Sequence, residues 1–316
     1  MTSITLRQLR YFEALARHRH FGDAARACSV SQPALSMQVR DLEAAVGVAL
    51  IERRARAIGI TPAGEELARR AEAIARAVAE LEDVARALGD PLGGITRLGV
   101  IPTAAPYLLP AVFRALAEQY PGLDLRVRET QTEGLLRELG AGRIDLALVA
   151  MPIREAGLVS RPLFDEPFLM VRPAASAGSP MPEPTSLGER LLLLEEGHCF
   201  RDQALAVCGT PGERGRAVPA GRLDASSLST LVQVVSAGLG LTLLPAMAAP
   251  FEARRAGVDL AAFPAGGPAR TLGLVWRETT PLAERFEAVG RVIDEVGRRQ
   301  VAEGTALAAA GVRATA

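Results

Sequence analysis

Apolar residues recur along the first part of this chain at helical spacing. Leu6, Leu9, Phe12 and Ala16 fall on one face of a first predicted helix, and Ala24, Ala25 and Cys28 mark a second, short one. A third begins at Ser31, whose hydroxyl suits an N-cap, with Pro33 in the first turn where its missing N–H is not needed. Its inner face is Leu35, Val39, Leu42 and Val46, in steps of 4, 3 and 4, and its outer face shows Gln32, Ser36, Gln38 and Arg40. A short helix, a tight turn and a helix that opens with amides and a guanidinium suit base edges in the major groove, with nearby hydroxyls and arginines on phosphates.

Thr61 and Pro62 then open a long helix in which Leu67, Ala71, Ile74, Val78, Leu81, Ala85 and Leu88 alternate by 4 and 3 without interruption. Such a heptad seam pairs two chains and sets their heads on two half-sites. The run Gly89-Asp90-Pro91-Leu92-Gly93-Gly94 ends the helix and marks a boundary. Beyond it, β-rich runs at Leu98 to Ile101, Leu123 to Arg128, Ile144 to Ala150, Phe168 to Val171, Leu191 to Leu194, Leu241 to Leu244 and Thr271 to Trp276 alternate with helical stretches near 107–120, 132–141 and 226–237. A last helix is predicted near 281–302. The expected fold class is α/β. Residues 1–61 form a helix-turn-helix head, 62–90 a linker helix and 91–304 a two-lobed α/β domain with the crossovers of periplasmic-binding-protein folds, followed by a disordered, Ala-rich tail over 305–316.

Charge sharpens this division. The chain of 316 residues has no net charge, yet residues 1–60 carry nine Arg against five acids and residues 61–90 four Arg against seven acids. A basic head is a modest pointer to nucleic acid. Every basic residue is Arg, which reflects base composition of the genome more than function. The start of the chain lacks the charged head and apolar run of a signal peptide, and no stretch reaches the roughly 18 apolar residues of a membrane span. A cytoplasmic protein with no membrane partner is expected.

Of the three cysteines, Cys28 lies on the inner side of the second helix and reads as a small buried hydrophobe. Cys199 and Cys208 stand nine residues apart. In a helix that separation is on the order of 13 Å and turns the sulfurs to opposite faces, whereas a disulfide needs Cα atoms within about 4.4 to 6.8 Å. Bonding between them requires the intervening turns to melt and rebuild. In a reducing compartment such a bridge forms only transiently. Cys199 has His198 beside it, Arg201 two residues on and, if the segment is helical, the N–H groups of a helix start, all of which favour a thiolate. One Cys beside one His, with Cys208 turned away, gives no tetrahedral metal spacing, and no metal or cofactor is expected.

Two sets of segments carry a family resemblance. Ala24-Ala25, Val30-Ser31-Gln32-Pro33-Ala34-Leu35-Ser36, Leu42-Glu43 and Gly47-Val48 resemble the winged helix-turn-helix of LysR-type transcriptional regulators. Leu50 to Arg56 is similar to that family's wing, and Thr61-Pro62-Ala63-Gly64 to its exit into the linker helix. Further on, Ile101 to Pro110, Pro162-Leu163-Phe164-Asp165-Glu166-Pro167, Leu194 to Gln203 and Ala237 to Pro245 resemble one branch, the OxyR-type hydrogen-peroxide sensors. The run Gly197-His198-Cys199-Phe200-Arg201-Asp202-Gln203, with its second cysteine nine on, is the more specific mark, and the resemblance extends from about residue 5 to residue 300.

The resemblance implies that Ser31, Gln32, Pro33, Ser36, Gln38, Arg40, Arg53 and Arg56 meet double-stranded promoter DNA. It implies that hydrogen peroxide oxidises Cys199, that Thr103, Thr132 and His198 surround the peroxide, that Arg270 adds positive charge, and that Asp202 orients or relays a proton. A sulfenic acid on Cys199 would then condense with Cys208 to a disulfide that cellular thiols reverse. Implied partners are RNA polymerase and further copies of the chain, from homodimer to homotetramer, and the protein is a regulator and not an enzyme. Two other readings stay open on the residues alone. One is a LysR-type regulator that answers a small organic effector, and the other is a thiol peroxidase with a secondary DNA-binding head.

Overall fold

A computed structural model describes residues 4–53, 58–89, 92–182, 191–207, 225–264 and 266–310. The chain divides into two compact units, with the division at Asp83 and Val84, inside the long helix.

The first unit opens with α1 (Leu6–His18), α2 (Phe21–Ala27) and α3 (Gln32–Val46). Thr5 starts α1 through a capping box with Gln8, and the Ser31 hydroxyl accepts the Ala34 N–H at 3.4 Å at the start of α3. Phe12, Leu15, Leu35, Val39 and Leu42 are fully buried and weld the three helices, each such side chain stabilising the unit by about 1.5–3 kcal/mol. Leu6 is exposed instead of buried. Gly47 takes the left-handed conformation that ends α3. An antiparallel hairpin, β1 (Ile51–Arg53) with β2 (Ile58–Ile60), follows as the wing. Glu43 on α3 accepts the N–H groups of Leu50 and Ile51 at 2.7 and 3.2 Å, which fixes the wing to α3.

The long helix α4 spans Pro62–Gly89. Thr61 caps it, accepting the Gly64 N–H at 3.0 Å while donating to the Ala49 carbonyl at 2.8 Å. Gly64 is required here, since a Cβ would overlap the Leu50 carbonyl oxygen. The heptad seam divides: Leu67 and Ala71 pack on the head's own core, while Ile74 and Leu81 are exposed, Leu81 at 68%.

The second unit builds one mixed sheet. Its elements are β3 (Gly94–Val100), α5 (Ala105–Gln119), β4 (Leu123–Glu129), α6 (Thr132–Gly140), β5 (Leu146–Ala150), β6 (Leu158–Pro173), α7 (Cys199–Val207), α8 (Leu228–Ser236), β7 (Thr242–Pro245), α9 (Ala249–Ala256), β8 (Val258–Ala262), β9 (Ala269–Arg277) and α10 (Ala283–Ala309). Among the described residues the strand order is β4-β3-β5-β9-β6-β7, with β8 also on β6. β3 pairs in parallel with β4 and β5, and the other pairings are antiparallel. β6 serves both lobes: Leu158 to Pro167 pairs with β9, and from Phe168 on it pairs with β7 and β8.

The strand expected at Phe168 to Val171 is therefore only the second half of β6. Pro162 and Pro167 interrupt its alternation, and both are accommodated, the first at a register shift. The strand expected at Leu191 to Leu194 is reduced to two parallel bridges, Leu191 to Leu241 and Leu194 to Ala225. The expected tail is also corrected. α10 continues past Gly304 to Ala309, with Gly304 so close to the Ala246 carbonyl that a Cβ would overlap it and with Ala308 buried. Burial of one face holds the Ala-rich turns that composition alone marks as loose. Residues 311–316 lie outside the described residues.

Candidate functional site

On the head, the residues expected to meet DNA from the third helix lie on α3, with Ser31 at its N-cap. Gln32, Pro33 and Arg40 are exposed, while Ser36 and Gln38 are half-buried. Arg40 Nε donates to the Ser36 carbonyl at 3.3 Å, and the Gln38 amide reaches Asp41 at 3.5 Å, so both are held along the helix. Met37, exposed at 53%, adds an apolar group to the same helix that a search for polar contacts passes over and that suits a thymine methyl. Arg53 ends β1, and Arg56 lies outside the described residues.

In the second unit Cys199 is the first residue of α7, half-buried. Gly197, two residues earlier, has φ +92°, and a Cβ there would come within 2.5 Å of Gln131 Oε1. The glycine thus lets Gln131, at the start of α6, lie against the backbone just ahead of the thiol. His198 is buried with Nε2 3.7 Å from the Glu195 carboxylate. Arg201 donates to the Leu194 carbonyl at 2.8 Å, so its guanidinium ties α7 to the preceding segment. Asp202 is exposed on the first turn. Cys208 lies outside the described residues.

Next to Cys199, Phe200 is buried edge-on against Phe168, with ring centroids 5.2 Å apart, and the Arg270 guanidinium lies 5.9 Å from its ring. Arg270 and Thr103 are both buried, although 167 residues separate them. Arg270 Nη1 donates to Thr103 Oγ1 at 2.7 Å and Nη2 to the Thr103 carbonyl at 3.1 Å. The charge is matched by Glu166, fully buried, whose Oε2 accepts Nε at 2.8 Å and lies 2.7 Å from Nη2. Glu166 Oε1 accepts the Met247 N–H at 2.9 Å. Burying such an ion pair is tolerated because each oxygen and each donor used has a partner.

Thr132 opens α6 with its hydroxyl oxygen buried and unpartnered, and Gln203 Oε1 on α7 is likewise buried without a partner. Buried polar atoms without partners are uncommon and suit a small polar ligand. The fold therefore brings Arg270 and Thr103 to Phe200 at the start of α7, and Gln131 to Gly197, while Asp202 faces solvent. Glu166 and Gln131 escaped the sequence reading. Glu166 sits in the Pro162 to Pro167 segment, but its role depends on pairing with Arg270, 104 residues away.

The environment of the other described cysteine is different. Cys28 ends α2, half-buried against the apolar core of the head, and burial pushes its thiol above the ordinary range, partly offset by Arg10. Such a thiol carries little thiolate at neutral pH. Among the described residues no group of three His, Cys, Asp or Glu side chains is placed to hold a metal.

Comparison with known proteins finds two family models along the chain. The bacterial regulatory helix-turn-helix family of LysR type matches residues 6–65, and the LysR substrate binding domain matches residues 89–298. The chain is similar to a probable hydrogen peroxide-inducible genes activator of Streptomyces viridosporus, 45% identical over 298 residues and covering 93% of this chain and 95% of the relative. It is similar to the DNA-binding transcriptional dual regulator OxyR of Escherichia coli (strain K12), 40% identical over 294 residues, with 92% and 95% covered. Among solved structures, a cysteine-to-serine mutant of Corynebacterium glutamicum OxyR with hydrogen peroxide bound matches at a TM-score of 0.65, with 38% identity and 96% of each chain covered.

Proposed function

The chain belongs to the LysR family of bacterial transcriptional regulators, within its group of hydrogen peroxide-inducible activators, and from that premise we propose that it is a DNA-binding regulator switched by peroxide at Cys199. The observation that carries this reading is the position of Cys199 as first residue of α7, followed by Phe200, whose ring lies 5.9 Å from the buried Arg270 guanidinium that holds Thr103.

In the proposed step the Cys199 thiolate attacks one peroxide oxygen. An S–O bond forms, the O–O bond breaks, sulfur is oxidised to sulfenic acid, and the departing hydroxide takes a proton to leave as water. The Thr103 and Thr132 hydroxyls hold the peroxide, His198 shapes the wall, and Asp202, at the exposed side, supplies or relays the proton. The Cys208 thiol then attacks the Cys199 sulfur, forming the disulfide and releasing a second water. With α7 helical through Val207, that bond requires the helix to unwind. The rebuilt segment shifts the regulatory lobes and thereby how the paired heads sit on promoter DNA. Cellular dithiols reverse the bond.

On the head, Ser31, Gln32, Pro33, Ser36, Gln38 and Arg40 read DNA, with Arg53 and Arg56 on the backbone of the duplex. The exposed Ile74 and Leu81 on α4 support pairing of two chains, and a tetramer and contact with RNA polymerase extend the proposal. Among the described residues no helix is long and apolar enough to cross a membrane. A cytoplasmic location accords with a DNA-binding regulator.

Mass spectrometry of peptides spanning residues 191–216 after brief peroxide treatment, paired with DNA footprinting, tests the reading. Wild type should form the intramolecular bridge at doses that change the footprint. Cys199→Ser should be blind to peroxide, and Cys208→Ser should stop at sulfenic acid. Oxidation of Cys208 first, or a changed footprint without the bridge, would point to a small-effector regulator instead.

A further inference from the structure

Glu166 is fully buried, touches no residue expected to meet peroxide except Arg270, and is absent from the mechanism above. It occupies the position on β6 directly opposite Arg270 on β9, just before β6 changes from one lobe's strands to the other's. Both carboxylate oxygens are used: Oε2 takes the Nε edge of the guanidinium, and Oε1 takes the Met247 N–H from the turn after β7. A carboxylate held this way fixes the plane and rotation of the guanidinium, because a planar fork engaged along one edge has its remaining donors set.

Those remaining donors fall on Thr103. A guanidinium can only donate, so the Thr103 oxygen, 2.7 Å from Nη1, must act as acceptor toward it. The hydroxyl proton is then directed away from Arg270 and is available as a donor. We infer that Glu166 is a positioning residue for peroxide sensing, acting through Arg270 to make Thr103 an oriented hydrogen-bond donor to the peroxide oxygen that leaves as the O–O bond breaks. This inference rests on the proposed function. Without the carboxylate, the guanidinium rotates, Thr103 can satisfy its own proton elsewhere, and the leaving oxygen loses a prepaired donor.

The test compares two reactions of the reduced full-length protein: oxidation of Cys199 by hydrogen peroxide, and alkylation of Cys199 by iodoacetamide across pH. Alkylation needs the thiolate but no oriented donor. Glu166→Gln keeps the shape and removes the charge. It should slow peroxide oxidation by about 10- to 100-fold while alkylation becomes no slower at any pH. Thr103→Val should show the same split, Thr103→Ser should retain most of the rate, and Glu166→Gln combined with Thr103→Val should be no slower than Thr103→Val alone. Parallel loss of both reactions, full multiplication of the two effects, or a wild-type peroxide rate in Glu166→Gln would overturn the inference. If Glu166→Gln does not fold, Glu166→Gln with Arg270→Met removes both charges together, which buried pairs tolerate better. That variant should oxidise as slowly as Thr103→Val, and a wild-type rate there overturns the inference. A wild-type Cys199 that peroxide fails to oxidise would instead remove the proposed function itself.

Discussion

The recognition helix and the thiol cleft place their working groups in opposite ways. On α3, Gln32 and Arg40 stand in solvent on a scaffold made by near neighbours, from the Ser31 cap to the Glu43 clamp on the wing. In the cleft, Thr103, Glu166 and Arg270 are buried and meet only because strands and turns far apart in sequence converge. A surface that docks a large polyanion gains from displayed donors, whose charge steers and binds phosphate. A site for a molecule as small as peroxide must itself supply the dry, fixed donors that water would otherwise provide. The difference teaches that substitutions in the head should separate binding from stability, whereas those in the cleft should not.

The largest expected effect lies in the cleft. Arg270→Met strands the Glu166 carboxylate without its partner and should destabilise the protein by about 3–5 kcal/mol, read as a fall in urea midpoint. An unfolding free energy within about 0.5 kcal/mol of wild type, the usual range for surface changes, would break the comparison. In the head, Gln32→Ala should leave that midpoint in place yet weaken promoter binding by about 1–3 kcal/mol and relax specificity at one base pair, measured by titration against a set of single-base operator variants.

Smaller again is Arg56→Ala. It should weaken all sequences alike and reduce the slope of log affinity against log salt by about 0.9. Equal slopes for the two proteins would remove the phosphate contact. The smallest effect sharpens the contrast between the thiols. Burial raises the Cys28 pKa, so iodoacetamide should label Cys28 more slowly than a free cysteine peptide at pH 8.5, with the difference narrowing as pH rises through the raised value. Cys28→Ser should leave the peroxide response unchanged. Loss of that response would make the head a second sensor.

Much of this was legible along the chain. The N-caps at Ser31 and Thr61, the apolar face of α3 and the opening of α4 follow from interactions within one or two helical turns, which short stretches of sequence encode fully. The seam was legible as a pattern but not in its division, since only the packed head shows that Leu67 and Ala71 belong to its core and Ile74 and Leu81 do not. Family resemblance marked Thr103, Arg270 and Cys199, although no local signal joins the first two.

By itself, then, the sequence determined the helices of the head and the alternating order of the regulatory domain, while it left open whether Cys199 stands at a helix start. Tertiary structure alone decided that β6 runs through two prolines into both lobes, that α10 holds its Ala-rich end through Gly304, and that Glu166 aligns Arg270 on Thr103. The physical reason is range. Caps and periodicity act between residues a few positions apart, while a buried charge is stable only where sheet register delivers its counter-charge and leaves no donor unpaired.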